Sequence, residues 1–109
     1  MCLKLPNSEK TFILYTDASH TGLGAGLHQM QESREVPIYF ASQKLNKAQL
    51  NYSTVEKECL AVVWAIRKFS KYLMGKEFIL KSDHKALMWL VENHSRGGRL
   101  TRWALELQS

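Results

Sequence analysis

Apolar and polar positions in this chain follow two periods, near two and near 3.6 residues, and the changes of period outline the elements. Residues 11–17 (TFILYTD) are rich in β-branched and aromatic side chains and predict a strand. A turn at 19–22 follows, then residues 22–29, whose glycines and alanine suit a closely packed second strand. Residues 36–42 (VPIYFAS) predict a third, with Pro37 near its start, where a missing N–H is tolerated. The short connections favour an antiparallel meander. A helical period then runs from Thr54 to Met74, opened by the capping box Ser53-Thr54-Val55-Glu56 and closed by Gly75. Residues 77–82 (EFILKS) predict a fourth strand; reached by a helical crossover, it should lie parallel to one of the first three. A short helix at 84–92, a basic glycine-containing loop at 95–99 and an amphipathic helix at 100–108 complete the order βββαβαα.

Composition narrows the class without naming a function. A chain of 109 residues with 45% apolar content is one domain's worth, able to bury a core without staples. Cys2 and Cys59 lack the spacing of a metal or redox pair, and His20, His28, His84 and His94 are too scattered for zinc. The expectation is a reduced, intracellular protein. The longest apolar run, residues 60–66, is too short to cross a bilayer, and no apolar leader precedes it, so no membrane role is expected. The formal charge of +5 is compatible with a polyanionic partner and with much else.

The acidic residues carry more. Residues advance about 100° each around a helix, so Val55, Val62, Ala65 and Phe69 lie near Glu58, whereas Glu56 points toward Arg67 on the polar side. Capping and solvent explain Glu56. Glu58 lies on the apolar face, where an unpaired charge is costly. Either it reaches water at the edge of that face or a cation compensates it. Asp17 and Asp83 each end a predicted strand, and ligand groups gather at strand carboxyl ends. A lone strand-end Asp is more often a turn or capping residue, and Asp83 could cap the following helix. With strand four parallel beside strand one, however, all three carboxylates would converge, and their repulsion calls for a hard cation. An all-oxygen site suits Mg²⁺ or Mn²⁺, two of which can promote an in-line phosphodiester displacement.

Four segments together resemble a known family. Phe12–Gly24 (FILYTDASHTGLG), Tyr39–Leu45 (YFASQKL), Asn51–Ala65 (NYSTVEKECLAVVWA) and Ser82–Leu87 (SDHKAL) resemble the ribonuclease H domain of gypsy-type LTR retrotransposon reverse transcriptases, with Arg102-Trp103 similar to its final helix motif. The resemblance implies an α/β ribonuclease H fold, a mixed sheet of order 3-2-1-4-5 flanked by helices. It also implies hydrolysis of the RNA strand of an RNA–DNA hybrid with two Mg²⁺ or Mn²⁺ ions, leaving 3′-hydroxyl and 5′-phosphate ends. By motif position, Asp17, Glu58 and Asp83 match the first three catalytic, metal-holding carboxylates. The family continues into a fifth strand and a fourth acid, whereas this sequence stops at Ser109. The expectation is therefore a single domain over 1–109, shortened relative to the family: sheet order 3-2-1-4, an open fourth-strand edge and weak or absent cleavage.

Basic and polar residues supply expected substrate contacts. Arg96, Arg99 and Arg102 surround a helix start, a plausible phosphate clasp and equally a solvated loop. Lys44, Lys47 and Asn51 precede the long helix and could touch the hybrid's backbone or minor groove, where 2′-hydroxyls mark RNA. His84 is assigned no proton transfer. Trp64, Trp89, Trp103 and Tyr15 are expected to pack rather than stack on bases. The leading expectation is a hybrid-specific endonuclease beside a polymerase domain in a polyprotein, in the cytoplasm or a virus-like particle. The alternatives are a catalytically impaired nucleic-acid-binding module, and an interaction domain that self-associates through the open edge.

Overall fold

The structure, a computed structural model, describes residues 10–92. Three antiparallel strands open the fold: β1 (Phe12–Ala18), β2 (Gly22–Gln31) and β3 (Arg34–Lys44). Helices α1 (Lys47–Leu50), α2 (Thr54–Lys68) and α3 (Ser70–Leu73) follow, then β4 (Phe78–Lys81) and α4 (His84–Glu92). The sheet order is β3-β2-β1-β4, and β4 runs parallel to β1, as the helical crossover requires. The predicted order 3-2-1-4 is therefore the observed one. Among the described residues β4 is the outer strand on its side, with Ile79 47% exposed.

One face of the sheet carries the core. Phe12 and Leu14 of β1, Ala25 and Leu27 of β2 and Ile38 of β3 meet Ala65, Phe69 and Leu73 from the helices. Strand alternation sends these residues inward and leaves Tyr15 and Asp17 on the other face. Cys59 and Val62 of α2 pack against Ala86 and Leu90, which fastens α4 beside α2. The Cys59 Sγ donates to the Ala86 carbonyl at 3.6 Å, and burial, then nearby carboxylates, push its thiol up to about 12. That thiol is inert packing at neutral pH. Tyr15 is likewise tied down, its hydroxyl donating to both Glu35 oxygens at 2.7 and 2.9 Å.

Three local differences from the sequence expectation have physical causes. The β2–β3 hairpin closes tightly on Glu32 and Ser33, both in the left-handed region (φ 52° and 64°), so both strands run longer than predicted. The expected single helix to Met74 breaks at Phe69 (φ −106°, ψ 20°), yet Phe69 and Leu73 both stay buried, so the apolar period passes through the break unchanged. The short α1 has no buried residue and hence no apolar stripe. Its signal was the reciprocal cap of Asn46 and Gln49, with side-chain-to-backbone bonds of 2.8 and 3.0 Å. Ser53 and Glu56 form the predicted capping box on α2, and Gly75 takes the predicted left-handed conformation at φ +74°. The expected helix at 100–108, with Trp103, and also Cys2 and His94, lie outside the described residues.

Candidate metal centre and nucleic-acid interface

The parallel pairing of β1 with β4 determines where the strand-end acids go. Its register matches Phe12 with Phe78 and continues to Tyr15 with Lys81. The pairing ends there; extended two steps at the same offset, it would set Asp17 level with Asp83. Asp17 is still in β1, opposite Gly24 of β2, and its Oδ1 accepts the Ala18 N–H at 2.9 Å. Asp83 lies two residues beyond β4, not at its last position as expected. Its Oδ1 accepts the Lys85 and Ala86 N–H groups at 2.9 and 3.3 Å, so it caps α4. The capping role weighed in the sequence is thus real, and it coexists with a charge effect of Asp83 on Glu58.

Glu58 comes from the first half of α2, half-buried against the sheet. Its carboxyl is held above the usual range, first by burial, then by the charge of Asp17, then by that of Asp83. Two acids distant in sequence therefore act on a third through one electrostatic field. Glu56, by contrast, spends its carboxylate on the Ser53 N–H at 2.9 Å. The helical-wheel distinction between the two glutamates holds.

The chemistry of this donor set fits a hard divalent cation: three carboxylates, oxygen only, mutually repelling and partly desolvated. The fit is incomplete as the side chains stand. Among the described residues no three His, Cys, Asp or Glu side chains are already in a metal-ligating arrangement. To ligate a cation the carboxylates would have to draw inward.

Two clefts, one bordered by Glu58 and the other by Asp17, share Ala18 and Ser19 as a wall. One, of about 220 Å³, lies between the β1–β2 turn and α2 and is bordered by Thr54, Lys57 and Glu58. The other, of about 360 Å³, runs from Asp17 along Gly22 and Gly24 to Lys44. Lys44 thus borders the same cleft as Asp17. Asn51 is exposed and caps α1, its Nδ2 donating to the Lys47 carbonyl at 3.4 Å. Arg96, Arg99 and Arg102 lie outside the described residues.

Sequence reasoning passed over Lys57. It is only 9% exposed, and its Nζ donates to the His20 carbonyl at 3.0 Å, pinning the β1–β2 turn onto α2 beside Glu58. The available signal was its i, i+4 spacing to the buried Ala61, which places it on an inward face.

The raised Glu58 carboxyl gives a pH prediction. Without metal, the folded state holds this proton more tightly than the unfolded chain, so the contribution is full below the unfolded value, 4.5, and is lost as pH rises through the folded one. Glu58→Gln should therefore stabilise the EDTA-treated protein at pH 7, with the gain shrinking toward pH 4. Thermal melts across that range check it; a pH-independent difference would refute the shared field.

Comparison with known proteins agrees with the fold. Over 105 residues the chain is 48% identical to the retrovirus-related Pol polyprotein from transposon 297 of Drosophila melanogaster, covering 96% of this chain and 10% of that protein. It is 40% identical to the Pol polyprotein from transposon gypsy of the same organism, covering 93% and 10%. The chain thus spans about a tenth of the length of these curated relatives. Among solved structures it resembles the native prototype foamy virus protease-reverse transcriptase (TM-score 0.77, 17% identity, 98% of this chain and 15% of that one). It also resembles a foamy viral protease-reverse transcriptase in complex with dsDNA (TM-score 0.75, 19% identity, 97% and 22%). At those identities the likeness speaks for the fold alone. Residues 7–109 match the family described as the RNase H-like domain found in reverse transcriptase, and with the 3-2-1-4 sheet and its relatives among retrotransposon Pol polyproteins, the chain belongs to that family.

Proposed function

We propose that this chain is the ribonuclease H of a retrotransposon reverse transcriptase, hydrolysing the RNA strand of RNA–DNA hybrids. The observation that carries the proposal is the parallel pairing of β1 with β4 beside α2, which directs the strand ends before Asp17 and Asp83 toward the helix that carries Glu58; the raised Glu58 carboxyl is consistent with it. Bound Mg²⁺ or Mn²⁺, two ions in the active form, would supply water activation and stabilisation of the leaving oxygen.

The chain's own residues do the rest. Asp17, Glu58 and Asp83 would hold the ions. Capping of α4 fixes one oxygen of Asp83, which limits how its carboxylate can turn. The Lys57 anchor keeps the β1–β2 turn, and with it the Ala18–Ser19 wall between the clefts, in place beside Glu58. Lys44, in the cleft with Asp17, and Asn51 would bind the hybrid's backbone, joined by Arg96, Arg99 and Arg102. In this reading the chain is one domain of a longer Pol polyprotein that also carries a polymerase, acting in the cytoplasm or a virus-like particle.

The test is cleavage of end-labelled RNA–DNA hybrid, double-stranded DNA and single-stranded RNA with Mg²⁺, Mn²⁺ or EDTA. Cleavage confined to the RNA of the hybrid, abolished by EDTA and leaving 3′-hydroxyl and 5′-phosphate ends, is expected. Salt-dependent hybrid binding without any cleavage would instead favour the nucleic-acid-binding alternative.

A further inference from the structure

Buried polar atoms normally find a partner, and leaving one without costs about 1–3 kcal/mol. Among the described residues three buried side-chain atoms have none: Thr16 Oγ1, Ser82 Oγ and His28 Nδ1. His28 lies 3.8 Å from Glu35, a neighbour within easy adjustment. The two hydroxyls are left, and their positions coincide in a telling way. Each immediately precedes one of the strand-end acids, Asp17 and Asp83. One step beyond the Tyr15–Lys81 pair, the β1–β4 register sets Thr16 opposite Ser82. Strand alternation turns both to the face that packs against α2, as it does Leu14 and Leu80. That is the helix that carries Glu58.

We propose that Thr16 and Ser82 are positioning residues for the cation site, donating hydrogen bonds from the sheet face under α2 to the Glu58 carboxylate as it closes around the ions. The inference rests on the metal reading above and deepens it. It joins two facts: the acids do not stand in ligating arrangement, and the hydroxyls next in sequence to two of them are buried without a partner on the face toward α2. A carboxylate that must move inward needs its non-ligating oxygen held, or it samples several orientations. Outer partners of this kind typically change metal affinity about 10- to 100-fold when removed.

The experiment is Mn²⁺ titration of the chain, followed by electron paramagnetic resonance or calorimetry, independent of any cleavage. Thr16→Val and Ser82→Ala remove the hydroxyls with little change of shape. Each should weaken Mn²⁺ binding about 10-fold or more. Thr16→Ser and Ser82→Thr should restore it. In EDTA the hydroxyl-free variants should melt no lower than wild type, because a partnerless hydroxyl is lost. Wild-type Mn²⁺ affinity in both hydroxyl-free variants overturns the proposal while leaving the metal reading intact. Equal Mn²⁺ binding by wild type and Asp17→Asn overturns the metal reading and this proposal with it. Should Thr16→Val not fold, Ser82→Ala decides alone.

Discussion

Asp17→Asn is expected to lower divalent-metal-dependent cleavage of an RNA–DNA hybrid at least about 100- to 1,000-fold, roughly 3–4 kcal/mol of transition-state stabilisation. The substitution keeps the shape of the side chain and removes one charge of three. Its Oδ1 bond from Ala18 survives in the amide, so β1 keeps its end geometry. On the proposed reading, what is lost is a charged ligand for a dication. The same variant should stabilise the metal-free protein, because Asp17 is the larger of the two charges acting on Glu58. Activity down and EDTA-state stability up is a signature that ordinary damage to the fold does not give. Glu56→Gln is the matched control: it removes an acid two residues from Glu58, but one occupied in capping Ser53. It should leave cleavage near wild type. Activity of Asp17→Asn within threefold of wild type would refute the catalytic assignment.

The second large effect is on stability. Leu14 is fully buried in the middle of β1, paired with Leu27 on β2 and Leu80 on β4. Leu14→Ala removes apolar contacts where both neighbouring strands and the helical layer converge, and should cost about 2–5 kcal/mol. Total stabilities of about 5–15 kcal/mol make that a large fraction, visible as a shift of the urea midpoint or of Tm. Because β1 and β4 are the strands leading to Asp17 and Asp83, the loss should also reduce the folded fraction competent for metal. Ile79→Ala, at a position 47% exposed, should change stability by less than about 1 kcal/mol. Equal effects at the two sites would mean that the core is not where the burial places it.

Much of the fold was legible because the signals are local. The β-branched and aromatic richness of FILYTDA, the capping box at Ser53 and the helix-ending Gly75 depend on neighbours within a few residues, and each appears where the pattern placed it. The site was legible in part. Glu58 could be separated from Glu56 by helical geometry, and the structure assigns the two the different environments that geometry required. Features without an apolar period went unseen. Helix α1 buries nothing, and Lys57 reads as a solvated charge until its carbonyl partner, 37 residues away, is brought to it.

The sequence by itself determined which segments become strands and helices, which faces turn inward and which motifs tie the chain to its family. Those follow from side-chain chemistry at short range. Tertiary structure alone decided the parallel alignment of β1 with β4, the double duty of Asp83 as helix cap and charge acting on Glu58, and the burial of two partnerless hydroxyls on the sheet face under α2. Register between distant strands is selected by how a whole layer of side chains packs against α2, a sum over contacts that no local window contains.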